Sequence, residues 1–164
     1  MFNLIILICL LLITFVYNGY IIYKHKTIPS SFSETAYLLG ENKNYFFTLY
    51  CLMIGFATLP QLFEITNNGF GFIPFIFIIC LSFAGLTPNY RSDFQDKIHN
   101  ISAYISFAAF ILFMFIYVNH WLILGYLLIC SILVCLRKQS WTYIFEIISI
   151  LFLNFWLIYK NGVS

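Results

Sequence analysis

Residues 2–23, FNLIILICLLLITFVYNGYIIY, run for 22 positions without a charged side chain. A bilayer's hydrocarbon core, about 30 Å thick, needs roughly 20 apolar residues at 1.5 Å each, so this stretch has the length of a membrane crossing. The same ruler fits Tyr45 to Ile65, Phe70 to Pro88, Ile101 to Val118, Trp121 to Leu136 and Ser140 to Tyr159, the fifth stretch of the six being the shortest. Lipid offers no hydrogen bonds to an open strand edge, and barrel strands would alternate polar with apolar, so these near-continuous runs read as helices. A soluble helical bundle would carry a polar stripe on each helix, and these runs have none. Composition agrees. With 62% hydrophobic residues, 9% charged and a mean hydropathy of +0.93, too little charged surface is left to solvate a domain of 164 residues. The expectation is a single all-α domain over residues 1–164, a polytopic membrane bundle of six transmembrane helices.

The first stretch lacks the basic flank and small-residue cleavage site of a signal peptide, so it is expected to remain as an anchor and first helix. Positive charges stay on the cytoplasmic side of short loops, and with six helices the gaps alternate sides. Lys24, Lys26, Lys43, Arg91, Lys97, Arg137 and Lys138 fall on one face and Lys160 on the other. That split places both termini outside the cytoplasm.

Aromatic residues make up 21% of the chain, yet no basic tract accompanies them and the formal charge is +2, which excludes a nucleic-acid partner. Phe suits packing and lipid contact, and Trp121, Trp141 and Tyr159 fall near helix ends, where headgroup belts form. Cys9, Cys51, Cys80, Cys130 and Cys135 lie inside apolar runs without a Cys-x-x-Cys spacing, so they read as packing residues rather than a disulfide or zinc framework.

Two segments outside the apolar runs, Lys24 to Asn44 and Asn89 to Asn100, share the basic face. In the first, Ser31 and Glu34 form a capping-box pattern that Gly40 could close. It predicts a short helix over Phe32 to Leu39, laying Phe32, Tyr37, Leu38 and Leu39 into the interface as a cover or re-entrant plug. In the second, Asp93 and Asp96 sit near the start of helix four, where the helix dipole favours acids. Asp96 and His99, three apart, share a face, and His99 leads into an apolar run where its ring needs a partner. Two more ligands would be required for a metal, and no metal or cofactor is expected.

Inside the runs, Gln61, Glu64, Glu146 and Asn154 are the costly residues. Glu64 and Glu146 differ by roughly 20 Å in height at 1.5 Å per residue, too far for a carboxylate dyad. Glu146, about 9 Å in from the basic face by the same rise, is placed to pair with His99, Arg137 or Lys138.

Pro29 with Phe32-Ser33-Glu34-Thr35, and Gly85-x-x-Pro88 with His99-x-x-x-Ala103, resemble the two loop motifs of the FRAG/DRAM/SFK type of six-helix membrane protein and of similar bacterial membrane families. Phe32 and Ala36 stand where Ile and Gly are usual there, and those motif loops usually face away from the cytoplasm. The resemblance marks Ser33, Glu34, His99 and Ala103. It implies a connection with lipid handling or trafficking without an established catalytic mechanism. The function expected is therefore a non-enzymatic membrane protein whose basic-face pocket, formed by Ser33, Glu34, Asp96, His99 and Glu146, binds lipid or a partner. Membrane lipids are the expected ligands, with a membrane-protein partner or a second copy as further candidates. A lipid hydrolase using His99 as general base ranks second, since only a loop serine is at hand as nucleophile. An oligomeric pore or exclusion factor ranks third, because no helix carries the polar stripe a pore needs.

Overall fold

A computed structural model describes residues 2–40, 43–66, 69–87, 93–136 and 140–163. All regular structure among them is helical: α1 (Phe2–His25), α2 (Glu34–Leu39), α3 (Tyr45–Ile65), α4 (Phe72–Leu86), α5 (Asp93–Tyr117), α6 (His120–Leu136) and α7 (Trp141–Val163). Four helical stretches, Leu4–His25, Tyr45–Ile65, Asp93–Tyr117 and Trp141–Asn161, are long and apolar enough to cross a membrane. The apolar helices α4 and α6, with 15 and 17 residues, extend about 23 and 26 Å at 1.5 Å per residue. Helix α5 starts at Asp93 rather than at Ile101, because Asp93 and Asp96 in its first turn suit the positive end of the helix dipole.

The helices form two groups, α3–α4–α5 and α1–α7–α6, which meet along α1/α3, α3/α7 and α5/α6. Within the first group α3 and α4 approach closely at Gly85. A Cβ there would stand 2.5 Å from Cys51 Cβ, so only glycine permits the approach, and Thr48 Oγ1–H donates to the Gly85 carbonyl at 2.7 Å. Small residues at helix crossings and hydroxyl bonds across them are the usual means of joining apolar helices.

The core has two parts. One, around Leu62, Phe110, Phe113, Tyr126 and Trp156, joins α3, α5, α6 and α7. The other gathers Leu10, Phe32, Phe47, Tyr50, Cys51 and Tyr143 where α1, α2, α3 and α7 converge. Here polar side chains bridge the elements: Tyr50 Oη–H donates to Thr14 Oγ1, Tyr143 Oη–H donates to Asn18 Oδ1, and Tyr17 Oη–H donates to Thr35 Oγ1, whose own proton goes to the Phe32 carbonyl, the three bridging bonds each at 2.8 Å. Thr14 and Asn18 also back-bond their own helix. The spacing of Thr14, Tyr17 and Asn18 puts all three on one face of α1.

The outside of the bundle also carries large apolar side chains. Val16, Phe56, Phe75, Phe115, Leu128 and Ile132 are all exposed, as are Cys9 and Cys135. Trp121, Trp141 and Tyr159 are exposed at helix ends.

Candidate functional site

Residues 28–33 run across the start of α7 and are held there by three hydrogen bonds. Ser140 Oγ–H donates to the Ile28 carbonyl at 3.2 Å, Tyr143 N–H to the Ser30 carbonyl at 3.2 Å, and Phe32 N–H to Glu146 Oε2 at 2.7 Å. Tyr143 N–H is among the first four amides of α7, which have no partner within the helix, so the segment completes that helix end. The capping box forms with its return bond displaced. Glu34 N–H donates to Ser31 Oγ at 3.3 Å, while Glu34 Oε2 accepts from Ser30 N–H. Successive i to i+3 bonds from Ser31, Phe32 and Ser33 carry the chain into α2.

Phe32 was expected at the interface and instead turns inward. Its side chain is buried, with ring centroids 5.1 Å from Phe47, 5.3 Å from Tyr50 and 6.2 Å from Tyr17. Thr35, Ala36 and Leu39 are buried behind it, Leu39 too against expectation, whereas Tyr37 faces out, and the helix begins at Glu34 rather than at Phe32. The segment is thus a packed wedge rather than a loose cover.

Beneath the wedge lies a cavity of ≈ 380 Å³ between α3, α4, α5 and α7. Its walls are apolar, built from Leu81, Phe107, Phe110, Phe145, Ile150 and Leu153. Ser33 of the wedge and Glu146, which accepts the Phe32 amide, line it where it meets the wedge, and His99 lines it from α5. Two further hydroxyls on its wall are already bonded to protein: Ser106 Oγ–H donates to the Phe77 carbonyl, and Ser149 Oγ–H to the Phe145 carbonyl. The cavity thus sets a few hydrogen-bonded polar groups, Ser33 and Glu146 among them at the wedge, against walls that are mostly apolar. Aromatic side chains rather than close backbone approach join α5 to α7 along its flank, with Phe107 and Phe145 edge-on at 5.2 Å.

His99 is 5% exposed, and its Nδ1 lies 3.0 Å from the Ala84 carbonyl. A carbonyl only accepts, so Nδ1 carries the proton and donates. Ala84 belongs to the last turn of α4, whose carbonyls lack helical partners. His99 and Thr48 satisfy two of them, at Ala84 and Gly85. A backbone hydrogen bond at Thr87 and the Asp96 carboxylate one turn back also act on the ring. His99→Ala is accordingly expected to cost about 1–3 kcal/mol, because the Ala84 carbonyl is left without its donor, and His99→Gln less, because an amide can still donate. Thermal unfolding of both variants in detergent checks this, and equal losses would contradict the capping role.

Of the five residues marked from sequence, the cavity brings together Ser33, His99 and Glu146. Glu34 is engaged in capping, and Asp96 Oδ1 accepts from Asn100 Nδ2–H at 3.0 Å on the same helix. Glu146 takes the Phe32 amide, while Arg137 and Lys138 lie outside the described residues. Glu64 is exposed at the far end of α3. Gln61 and Asn154 are buried, and their side-chain carbonyl oxygens have no partner among the described residues. Among those residues no group of His, Cys, Asp and Glu is arranged to hold a metal. Cys51 was read from sequence as packing, and it also lines the cavity; nothing in its apolar surroundings on α3 signals that role. No family model, curated protein or solved structure matches the chain.

Proposed function

We propose that the chain is an integral membrane protein of six crossing helices that holds a membrane amphiphile in the cavity under the Ile28–Ser33 wedge, without catalysis. The observation that carries this reading is the make-up of the cavity lining. Largely apolar walls are joined by Ser33 and Glu146 at the wedge and by His99 on α5, a lining that fits an acyl chain attached to a hydrogen-bonding headgroup. At roughly 30 Å³ per water-sized group, the space takes on the order of ten chain carbons. Large exposed apolar side chains around the outside support the membrane setting, since a monomeric soluble protein rarely shows apolar patches beyond a few hundred Å². The likeness of the Pro29–Thr35 and His99–Ala103 segments to the FRAG/DRAM/SFK motifs points the same way, toward lipid handling.

Ala103 on α5 lines the cavity, so Ala103→Phe tests the reading directly. The added ring should occupy the space where the chain lies and lower co-purifying lipid per protein at least about tenfold, a loss of some 1.4 kcal/mol. Its unfolding midpoint should stay within a few degrees of the parent. Unchanged bound lipid in a folded variant would refute the cavity as the site.

We further propose that the lysine-rich end faces the cytoplasm. Reporter fusions after Asn44 and after Gln139 should both read cytoplasmic, and one after Ser164 should not. The reverse pattern would overturn the orientation, and opposite sides at Asn44 and Gln139 would overturn the six crossings.

A further inference from the structure

At the opposite end of the bundle, the end of α5, the start of α6 and the end of α7 enclose an open groove of ≈ 1020 Å³. Its lining includes Asn119, His120, Trp121, Tyr159 and Lys160 at the helix ends and Phe152 further along α7. Lys160 and Phe152, eight residues apart on α7, differ in height by about 12 Å at 1.5 Å per residue, so the groove grades from a polar rim into an aromatic trough. Trp121 and Tyr159 are 79% and 60% exposed, a placement suited to a headgroup belt. The lining contains an ammonium and an imidazole, and no carboxylate among the described residues.

We propose that this groove is a second binding site, specific for an anionic phospholipid, with the phosphate at Lys160 and His120 and an acyl chain along Phe152. The proposal rests on the membrane setting argued above but not on the cavity. Charge complementarity decides the occupant. A zwitterionic lipid would set its own cation near Lys160, and a two-fold pairing of copies across the groove would bring Lys160 toward its counterpart, since such interfaces use the same patch twice. An anionic headgroup meets neither conflict. The start of α6 adds the positive end of its helix dipole, although Trp121 N–H is already taken by Asn119 Oδ1 at 3.0 Å.

The test uses the full chain carrying Trp141→Phe, which leaves Trp121 and Trp156, both lining the groove, as the fluorophores. The protein is reconstituted in phosphatidylcholine vesicles in which a minor fraction of lipid has brominated chains, either phosphatidylglycerol or phosphatidylcholine. Brominated phosphatidylglycerol should quench about fivefold more effectively per mole fraction, the effect of one lysine near an anionic surface. Lys160→Ala should abolish the preference, Lys160→Arg should keep it, and Ala103→Phe should not alter it. Equal quenching by the two lipids in the parent would overturn the site, as would a preference that survives Lys160→Ala. Absence of quenching by either lipid would overturn the membrane setting and this site with it, whereas quenching without preference would leave that setting intact.

Discussion

Phe32→Ala is expected to lower the unfolding free energy by ~3–5 kcal/mol, the usual cost of removing a buried phenyl ring. Phe32 is 5% exposed and sits among Tyr17, Phe47 and Tyr50 at centroid separations of 5.1 to 6.2 Å, so truncation empties the centre of the aromatic cluster that joins α1, α3 and the wedge. The neighbouring rings are themselves stacked, Tyr17 on Tyr50 at 4.9 Å, and cannot easily collapse into the space. Phe32→Leu should recover more than half of the loss, because most of the volume returns. Thermal and denaturant unfolding in detergent measure both. A loss below about 1 kcal/mol for Phe32→Ala, the range of ordinary surface substitutions, would show that the segment is not packed as described.

Glu146→Ala is the second large effect. Its Oε2 accepts the Phe32 amide across 114 positions of sequence, and removing it leaves that partly buried N–H without an acceptor. The expected cost is about 2 kcal/mol, within the range for a hydrogen bond to a carboxyl group and for an unsatisfied buried donor. Glu146→Gln should lose less than half as much, because the amide oxygen still accepts. Trypsin cleavage after Lys26 should accelerate in the Ala variant and not in the Gln variant, since the wedge is released only in the former. If Gln and Ala behave alike, the bond to Phe32 is not what Glu146 contributes.

The helices could be read directly, because lipid length and chain length are related by a fixed rise: Phe2–His25, Tyr45–Ile65 and Trp141–Val163 lie close to the apolar runs. The early start of α5 at Asp93 was also signalled, by the acids of its first turn. The polar contact face of Thr14, Tyr17 and Asn18 on α1 went unread in an otherwise apolar run, because their partners Tyr50, Thr35 and Tyr143 lie on other elements and carry no local mark. Phe32 pointed inward for a reason that no periodicity reveals, since a short turn between Pro29 and Glu34 has no repeating face. His99 was recognisable as a buried ring needing a partner, and the partner proved to be the end of α4. The cavity was legible only in its polar residues, Ser33, His99 and Glu146, and not in its apolar walls. A void is set by where α5 and α7 stand relative to each other, and neither helix encodes that distance alone.

The most direct measurement of what the cavity holds is photocrosslinking in the membrane, using the intact chain and a single-chain amphiphile with a diazirine on its acyl tail. Mapped adducts are predicted on Leu81 of α4 and on Phe145 and Ile150 of α7, which line the cavity, and they should disappear in Ala103→Phe. Adducts confined to outward-facing positions such as Phe56, Phe75 and Leu128, unchanged by Ala103→Phe, would contradict the account.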